Sequence, residues 1–563
     1  MTADLPPFAI FFAGAPLVML LRGRLQQALL LLIPLLSAAL LFGVPEGLVV
    51  KVQLMGYELT PYRTDRLSLL FAYVFNLAAF IGIVFSLHLH DRLQHVAALI
   101  YSGSALGAVL AGDLISVFVY WELAAISSVF LIWSRRTPRA MAAGWRYLIV
   151  QLLSGLLLLA GILMRFHETG SLAFNYIGLD AVSGWLLFTA FGIKCAFPLL
   201  HNWLTDAYPE ATPTATIFLS AFTTKAAVYM LARGFPGTEL LIYIGAVMTC
   251  FPIVYAVIEN DLRRVLAYSI INQLGFMVCG IGIGTALAIN GAVAHAFSHI
   301  IYKALLFMSM GAVLHMTGKI RATDLGGLYK SMPITTGLCI VGACSISAFP
   351  LFSGFVSKAM VMAAALEEGH DWVWLALLFA SAGVFHHAGI KIPFFAFFAR
   401  DAGIRTGEPP LNMLLAMALA ALLCVSIGTW PALLYSLLPY PVDYSPYTVT
   451  HVLAQLQLLF FSALAFTWLK LSGLYPPEMR AVNIDAEWLY RWLGPRALNQ
   501  LTQVFSRWHV TTRSGFLRHL GNLFGTLFLY HGPQGILART WATGSMVLWV
   551  VILLGVYLIA YYY

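Results

Sequence analysis

The sequence predicts an all-α protein that crosses a membrane many times, and three observations lead to this fold class. The chain has 563 residues, of which 60% are hydrophobic and only 10% are charged. Soluble domains carry about 25% charged residues, so this composition excludes a soluble globular fold. Apolar runs of about 20 residues, the length that a helix needs to span a bilayer, recur along the chain. Prolines interrupt two of these runs at matching places in two halves of the chain.

The apolar runs are bounded by charges, proline or glycine, and we predict that sixteen of them span the membrane. The first run has no basic stretch before it, which predicts a membrane helix instead of a cleaved signal peptide. The sixteen segments lie at residues 6–22, 26–44, 66–89, 94–112, 114–133, 140–165, 181–208, 213–235, 238–258, 262–284, 286–316, 331–367, 371–399, 410–438, 450–474 and 543–562.

Basic residues in the loops predict how the segments are oriented. Thirteen Lys and Arg residues lie in loops 1–2, 3–4, 5–6, 9–10, 11–12 and 13–14, against five in the loops of the opposite side. Cytoplasmic loops are enriched in Lys and Arg, so we predict a multi-pass protein of the cell inner (plasma) membrane with both termini on the outer side. The net charge of +8 comes from these loops and not from one basic face, which argues against nucleic acid as a partner.

Two of the predicted segments are broken helices. The seventh contains "KCAFPLLHNWLTDAYPEATP", and the twelfth contains "SISAFPLFSGFVSK". Proline breaks the helical ladder, which membrane proteins tolerate mainly where the freed groups are buried or line a wet cavity. Interrupted segments at matching places indicate an inverted repeat. We therefore predict helices 1–3 in residues 1–93, a first repeat of helices 4–8 in 94–235 and a second repeat of helices 9–13 in 238–399.

The C-terminal region of the chain has a different pattern. Helices 14 and 15 are predicted in residues 410–474. From 476 to 540, Trp and Leu recur at helical spacing with Arg residues between them. This pattern predicts an amphipathic helix on the cytoplasmic membrane surface, in which Gly494-Pro495 introduces a break or a bend. A last span in residues 543–563 is predicted to anchor the end of the chain.

Few ionisable residues lie well inside the apolar segments, away from their ends, and these are all Glu, Lys or His. A charge at the bilayer centre costs roughly 2.5–3.5 kcal/mol on insertion scales, so each of these residues needs a reason to be there. Lys and Glu change protonation strongly with burial and with nearby charge, which suits proton transfer. The candidate site residues are Glu122, Lys194, Lys225, His295, His299, Lys303, Lys358 and Lys391, with His387 close to the last of them.

Each of these residues also has a structural explanation when it is taken singly. Glu122 could hold helices together through a neighbouring cation, a buried histidine could be satisfied within the core, and Lys358 could extend from a helix end to the interface. Five lysines inside apolar segments carry a heavy combined insertion penalty. The set as a whole therefore favours a chain of titratable groups over packing.

A metal centre or a bound cofactor is not predicted. His295, His299 and Lys303 share one helix face, but the stretch "HAFSH" lacks the glutamate of the zinc motif because Ala296 follows the first histidine. The six cysteines are isolated in apolar segments, without a CxxC motif, which argues against zinc, iron–sulfur and disulfide roles.

Five stretches resemble the proton-translocating antiporter family, which is shared by Mrp-type cation/proton antiporters and the antiporter-like subunits of respiratory complex I. The core motifs resemble the D subunit of Mrp antiporters, and they occur in the family's order over about residues 65–435. The resemblance implies a fourteen-helix core with two inverted five-helix repeats and broken helices 7 and 12, plus two extra C-terminal spans joined by an amphipathic lateral helix. The stretches are "YWELAAISS", "GIKCAFPLLHNWLTDAYPEATPTATIFLSAFTTKAAVY", "NDLRRVLAYSIINQLGFM", "HAFSHIIYKALLFMSMGAVLH" and "LFSGFVSK".

The resemblance also implies a role for most of the candidate residues. Glu122 is then the helix-5 glutamate that pairs with Lys194 of helix 7. Lys225 is the connecting lysine of helix 8, and Lys358 is the terminal lysine at the break of helix 12.

In the same way, the resemblance implies that His295, His299 and Lys303 carry the central axis between two half-channels. The resemblance assigns no role to Lys391, because "FHHAGIKIPFFAFF" departs from the more usual Tyr/Arg-containing pattern. The roles of Lys391 and His387 therefore stay open.

The function predicted from these observations is a proton-translocating subunit of a multisubunit Mrp-type Na+/H+ antiporter, with other membrane subunits as its partners. A first alternative is a proton-pumping subunit of a complex I-like NADH-quinone oxidoreductase or a membrane hydrogenase. Any redox activity would then belong to partner subunits, since the chain has no dinucleotide fingerprint and no cluster ligands. Further alternatives are a proton channel that powers an inorganic-carbon uptake complex and a scaffold without transport.

Overall fold

The structure, a computed structural model, describes residues 5–481, 483–533, 535 and 542–563. Residues 1–4 of the predicted N-terminal region 1–93, and residues 482, 534 and 536–540 of the predicted region 476–540, lie outside the described residues. The chain forms two compact units, Met1–Asn483 and Ile484–Tyr563.

The first unit begins with three helices and a hairpin, and the first repeat follows. The initial elements are α1 (Pro7–Leu20), α2 (Gly23–Gly43), β1 (Val49–Leu54), β2 (Tyr57–Arg63) and α3 (Arg66–Ser86). The helices of the first repeat are α4 (Arg92–Leu110), α5 (Leu114–Trp133), α6 (Pro138–Thr169), α7 (Val182–Lys194), α8 (Asn202–Ala207), α9 (Ala215–Ala221) and α10 (Thr223–Gly234).

The second repeat has the same order of long and broken helices. Its helices are α11 (Glu239–Ile258), α12 (Leu262–Ile283), α13 (Ala286–Thr317), α14 (Pro333–Ile346), α15 (Ser353–Glu367), α16 (Asp371–Val384) and α17 (Lys391–Pro393). The π-helical segments Phe385–Ile390 and Phe394–Phe398 flank α17, so that Asp371–Phe398 is one continuous helix. The unit ends with α18 (Leu411–Thr429), α19 (Ala432–Tyr435) and α20 (Val449–Leu471).

Each of the sixteen predicted segments contains an apolar helix, and the predicted polytopic fold is confirmed. Among the residues that the structure describes, thirteen helices are long and apolar enough to cross a membrane. The remaining three segments contain shorter apolar helices, which are Pro7–Leu20, Val182–Lys194 and Pro333–Ile346. The last two of these are the first halves of the segments that prolines were predicted to break.

The all-α prediction omitted one element, an antiparallel hairpin between α2 and α3. Strands β1 and β2 pair with Leu54 opposite Tyr57. The two residues between them, Met55 and Gly56, have φ values of 50° and 85°. Positive φ at both central residues is the geometry of a tight hairpin turn whose twist matches that of the strands. The hairpin is short and lies between two apolar segments, so hydropathy alone did not indicate it.

Both broken segments contain the tetrapeptide Ala-Phe-Pro-Leu, and both copies have the same backbone path. In the first copy φ is 62° at Ala196 and 68° at Leu199; in the second it is 56° at Ala348 and 74° at Leu351. Left-handed backbone costs residues with a side chain about 1–2 kcal/mol each. Two such residues in each copy therefore mark a specified local structure that the chain uses twice.

The hydrogen bonds around the two breaks are repeated as well. The Phe197 N–H bonds the Gly192 carbonyl across the end of α7, and the Phe349 N–H bonds the Cys344 carbonyl across the end of α14, both at 3.0 Å. These bonds close the end of each first half-helix, and the chain then turns away and starts a second helix. The remaining carbonyls at each end are left for partners from elsewhere in the fold.

The second helix of each repeat's core also begins in the same way. Asp113 caps α5 and forms an isolated bridge with Ala173, and Asp261 caps α12 and forms an isolated bridge with Arg321. Each aspartate accepts hydrogen bonds from N–H groups of the first helical turn, which stabilises the helix start. The repeats thus share both their breaks and their helix starts.

The second unit contains a π-helical turn at Leu489–Leu493, the long helix α21 (Gly494–His531) and the apolar helix α22 (Thr543–Tyr562). The amphipathic pattern predicted a helix here, and α21 runs for 38 residues. Pro495 lies in its first turn and does not interrupt it, because a proline at this position lacks an N–H that would be unpaired anyway. The predicted break at Gly494-Pro495 is instead the start of the helix.

Candidate functional site

Lys194 is the last residue of α7, directly before the first break. It is only 2% exposed, and its ammonium donates a hydrogen bond of 2.8 Å to the carbonyl of Trp121 on α5. The ammonium also lies 4.0 Å from the centroid of the Trp121 ring, where the face of the indole attracts a cation. The carboxyl end of a helix carries partial negative charge, which favours a cation at this position. The break thus holds a buried lysine with a neutral acceptor.

Glu122 follows Trp121 on α5, and its carboxylate packs over Gly155 of α6. A Cβ at Gly155 would overlap this carboxylate, so the glycine provides the space that the glutamate occupies. The Oε1 atom of Glu122 is buried and has no hydrogen-bond partner in the part of the chain that the structure describes. The charges of Glu122 and Lys194 act on each other, but the ammonium bonds the adjacent carbonyl and not the carboxylate. The predicted pair is therefore adjacent without a direct ion pair.

Lys225 lies in the first turn of α10, after an interruption at Phe222 between α9 and α10. The residue is fully buried. Its ammonium donates to the carbonyl of Ser220 at 2.7 Å and to the hydroxyl of Thr224 at 3.1 Å. Lys225 thus uses the same kind of partner as Lys194, an oxygen near a helix interruption.

A small cavity lies between Lys194 and this interruption. It has a volume of about 10 Å³, close to the minimum that one water molecule needs. Its walls include Tyr101, Trp121, Lys194, Phe222 and Thr223. The cavity thus has room for about one water molecule between Lys194 and the interruption that precedes Lys225.

The helix α13 carries three buried titratable residues, His295, His299 and Lys303, at four-residue spacing on one face. His295 connects this face to two other helices. Its Nδ1 lies 3.1 Å from the hydroxyl of Ser357 on α15, and its Nε2 lies 3.2 Å from Oε1 of Gln273 on α12. His295 is therefore held by one hydrogen bond to α15 and one to α12.

His299 and Lys303 are fully buried, and among the described residues neither side chain has a hydrogen-bond partner. Burying a polar group without a hydrogen bond costs about 1–3 kcal/mol in proteins, and a buried charge costs more. Buried polar groups are nearly always satisfied by protein or by ordered water. We therefore expect ordered water beside the His299 and Lys303 side chains.

Lys358 lies on α15, after the second break, and is 1% exposed. Its ammonium donates a 3.1 Å hydrogen bond to the carbonyl of Ile346, the last residue of α14. The ammonium lies 5.1 Å from the ring centroid of Phe276, and the preceding residue, Ser357, contacts α13. Lys358 also lines a cavity of about 360 Å³ between α15, α16 and α20. It is thus connected both to the α13 face and to a large cavity.

Lys391 donates hydrogen bonds to backbone carbonyls at the end of α11 and forms an ion pair with a carboxylate from another segment. Its ammonium donates to the carbonyls of Val257 at 2.6 Å, Glu259 at 2.7 Å and Ala256 at 3.3 Å. It also forms an ion pair of 2.9 Å with Glu478, in the segment after α20. Burial raises the pKa of Glu478, although Lys391 acts against this shift. This set of partners favours a structural role for Lys391.

His387 lies in the π-helical segment that precedes Lys391. It is fully buried, and neither ring nitrogen has a hydrogen-bond partner in the described part of the chain. π-helical turns inside α-helices occur frequently at functional sites. The two residues therefore differ in their hydrogen bonding. Within the described residues the His387 imidazole has no partner, whereas the Lys391 ammonium donates to several oxygens.

Four residues of this constellation were missed from the sequence. Trp121 and Ser357 each adjoin a charged candidate in the chain, so adjacency could have indicated them. Gln273 lies in the motif "NQLGFM", where its amide resembles any polar residue of a buried helix. Glu478 lies beyond α20 in "YPPEMR", and no local signal relates it to Lys391.

The described residues contain no group of three or more His, Cys, Asp or Glu side chains that could hold a metal ion. Lys194, Lys225 and Lys358 instead donate hydrogen bonds to neutral carbonyl or hydroxyl oxygens.

Comparison with protein families gives one match. The sequence model described as "NADH:quinone oxidoreductase/Mrp antiporter, TM" matches residues 111–384. This range includes the first seven candidate site residues and both breaks, but not Lys391 or α20.

Three curated relatives show how far the similarity extends. The D subunit of the Na(+)/H(+) antiporter of Alkalihalophilus pseudofirmus is 30% identical over 59% of this chain and 72% of its own length. The A subunit from the same organism is 29% identical over 70% of this chain, but only 55% of its own length is covered. The L subunit of the F(420)H(2) dehydrogenase of Methanosarcina mazei is 28% identical over 63% of this chain and 62% of its own length. The match thus spans only part of the length of each of these relatives.

Solved structures of membrane complexes contain chains with the same fold. A chain of the Mrp complex from Dietzia sp. superposes with a TM-score of 0.66 at 21% identity, covering 80% of this chain and 95% of the other. A chain of the membrane-bound sulfane sulfur reductase, an archaeal respiratory complex, gives 0.72 at 21% identity and covers 97% of this chain and 99% of the other.

Proposed function

This chain belongs to the NADH:quinone oxidoreductase/Mrp antiporter transmembrane family, and from that membership we propose that it is a proton-translocating subunit of a multisubunit Mrp-type cation/proton antiporter. Its partners in this proposal are other membrane subunits and the lipid bilayer. The counter-ion proposed is Na+, which the names of the antiporter relatives support.

One observation carries the proposal, a row of buried titratable groups that continues from the first break to the second. Lys194, Lys225, His299, Lys303 and Lys358 are each 2% exposed or less. Each ionisable residue inside a membrane protein is costly, and such residues usually mark ion or proton pathways. With His295, six buried titratable residues lie along the two repeats. Packing alone does not explain so many of them.

The local geometry suggests how Glu122 and Lys194 would move a proton. The ammonium of Lys194 is held by a carbonyl, a neutral acceptor, while the carboxylate of Glu122 lies nearby with an unbonded oxygen. A carboxylate that approaches the ammonium favours the charged form of lysine, and one that moves away favours release of the proton. In this proposal, a shift of Glu122 over Gly155 changes the protonation of Lys194.

The groups of α13 continue the pathway through water. His299 and Lys303 are buried without protein partners among the described residues, so water that hydrates them can also relay a proton. His295 then leads towards Lys358 through the Ser357 hydroxyl, which can both accept and donate. In this proposal each transfer passes between nitrogen and oxygen atoms along hydrogen bonds that water completes, and none requires a redox step.

The proposal is tested with Glu122→Ala and Lys194→Ala in sealed membrane vesicles that contain the chain with its co-purifying subunits. Proton flux is measured with a pH-sensitive dye, with and without Na+. Both variants are expected to lose at least nine-tenths of the flux while they insert at normal levels. Lys319→Ala, in an exposed loop, is the matched control and should transport normally. Full transport by both buried variants would reject proton translocation through this chain.

A second candidate is the proton-pumping subunit of a redox complex. The similarity to the L subunit of the F(420)H(2) dehydrogenase favours it. The two candidates differ in the partners that they require, since a redox complex needs dehydrogenase subunits with cofactors. Mass spectrometry of the affinity-purified complex separates them: small membrane subunits without cofactor proteins support the antiporter, and flavin or iron–sulfur subunits support the redox complex.

A further inference from the structure

We propose that α20 completes a proton outlet for the second repeat, in which Gln455 positions the end of the broken helix and His451 relays protons between Lys358 and the membrane surface. This inference rests on the proposed function, since it concerns the same protons. It assigns a role to a helix at residues 449–471, beyond the range 111–384 that the family model matches.

The outlet is the cavity of about 360 Å³ beside Lys358. Phe355 and Ala359 of α15 and Trp374 of α16 form part of its wall. Polar groups are added by Thr448, which caps α20, and by Thr450, His451 and Gln455 of α20. A cavity of this size with polar groups has room for several water molecules. Among the candidate residues, Lys358 alone lines it, so the cavity would connect the row of buried groups to the end where α20 begins.

Gln455 holds the carbonyl next to the one that Lys358 uses. Its Nε2 donates a 3.1 Å hydrogen bond to the carbonyl of Ser347, while Lys358 donates to the carbonyl of Ile346. These two consecutive carbonyls are at the end of α14, where the helix leaves them without helical partners. Because Gln455 continues to satisfy one of them, the ammonium can leave Ile346 and enter the cavity while the end of α14 stays in place.

His451 lies one helical turn before Gln455, on the same face of α20. Its Nδ1 is 3.3 Å from the hydroxyl of Tyr444, and its ring packs 5.6 Å from the ring of Phe355. The residue is partly exposed, in contrast to the buried Lys358. An imidazole at this position can exchange protons with bulk water on one side and with the cavity on the other.

The proton step balances without any further reactant. The ammonium of Lys358 transfers one proton through cavity water to the neutral imidazole of His451, which leaves a neutral amine and an imidazolium. The imidazolium then releases that proton to water at the membrane surface and returns to the neutral form. The reverse sequence loads Lys358 from the same surface.

The first test blocks the cavity in the folded protein. Ala454→Cys places a thiol in the cavity wall, and a positively charged, membrane-impermeant methanethiosulfonate is added to vesicles after assembly. Modification is expected to lower proton flux at least fivefold. Wild-type protein, with its six native cysteines, and Leu453→Cys, on an exposed face of α20, are treated identically and should keep their flux. An unmodified or fully active Ala454→Cys protein would overturn the outlet.

The second test replaces the two α20 side chains. Gln455→Leu is expected to lower flux about fivefold, while Gln457→Leu, at an exposed position on the same helix, should leave it unchanged. His451→Gln is expected to slow transport and to remove one titration from the pH profile of the flux, whereas His167→Gln should leave the profile unchanged. A wild-type pH profile in His451→Gln would contradict the relay even if the rate fell.

Lys194→Ala is measured in parallel, so that the two proposals can fail separately. If Lys194→Ala retains full flux, proton translocation by this chain is wrong. If Lys194→Ala is inactive while the modified Ala454→Cys, Gln455→Leu and His451→Gln proteins transport normally, the outlet alone is wrong.

Discussion

The two broken helices share a tetrapeptide and a backbone path, but they obtain their lysines in different ways. Lys194 is part of the first half-helix, and Ile346 occupies the corresponding position of the second, two residues before the alanine of the tetrapeptide. Lys358 comes after the second break and returns to bond the Ile346 carbonyl at 3.1 Å. Both repeats therefore bring an ammonium to the same end of a half-helix, although the order in the chain is reversed.

The surroundings of the two lysines differ more than their positions. Lys194 has the carboxylate of Glu122 close by and a cavity of about 10 Å³. Lys358 lines a cavity of about 360 Å³, and its ammonium bonds the neutral carbonyl of Ile346. A nearby carboxylate suits a switch, and a hydrated cavity suits exchange with bulk water. The comparison teaches that one backbone path can place a lysine in two different environments.

The largest expected effect comes from moving a lysine within the second repeat. Lys358→Ala should lose at least nine-tenths of the proton flux. The double variant Ile346→Lys/Lys358→Ala carries its lysine where the first repeat does, and we expect it to recover at least a tenth of wild-type flux. Ile340→Lys/Lys358→Ala, with the new lysine on a more exposed part of α14, is the control and should stay inactive. Equal flux in the two double variants would break the comparison.

The second prediction concerns Lys391, whose contacts differ from those of Lys194 and Lys358. Lys391→Met leaves Glu478 buried without its cation, which should destabilise the protein by about 3–5 kcal/mol. Thermal unfolding in detergent measures this loss. Adding Glu478→Gln removes the unpaired charge and should restore most of the stability. If Lys391→Met unfolds at the wild-type temperature but stops transport, Lys391 belongs with the transport residues instead.

The third prediction tests the switch of the first repeat alone. Gly155→Ala places a methyl group where the Glu122 carboxylate lies, so the carboxylate must move away from its present position. Proton flux is expected to fall about tenfold, which corresponds to about 1.4 kcal/mol on the barrier. Gly337→Ala is the control, because nothing lies within 4 Å of a Cβ there. Normal flux in Gly155→Ala would show that the position of Glu122 does not limit transport.

The smallest expected effect tests whether the two breaks are equivalent in backbone strain. Ala196→Gly and Ala348→Gly each place a glycine at positive φ, where glycine is not strained. Glycine also makes the unfolded chain more flexible, so the net gain should be below about 1 kcal/mol and similar at both positions. Thermal unfolding of the two variants side by side measures it. A stabilisation at one break and a loss at the other would show that the breaks are not equivalent.

Much of the fold and most of the candidate residues could be predicted from the sequence. Hydropathy located all sixteen segments because a bilayer requires about 20 apolar residues in a row, which is a local property. Proline located the two breaks because it removes a hydrogen bond wherever it stands. The charged candidates stood out because Lys and Glu are rare in apolar segments. The hairpin turn at Met55 and Gly56 was missed because it depends on backbone torsion and not on hydropathy.

The sequence by itself therefore determined which segments form apolar helices, where the helices break and which ionisable groups lie inside the apolar segments. The tertiary structure alone decided what each group contacts: Lys194 bonds a carbonyl 73 positions away, Gln455 bonds one 108 positions away, and Lys391 pairs with Glu478 from a segment outside the spans. The physical reason is that burial and helix breaks follow from neighbouring residues, whereas a buried donor takes whichever acceptor the packed helices bring within about 3 Å.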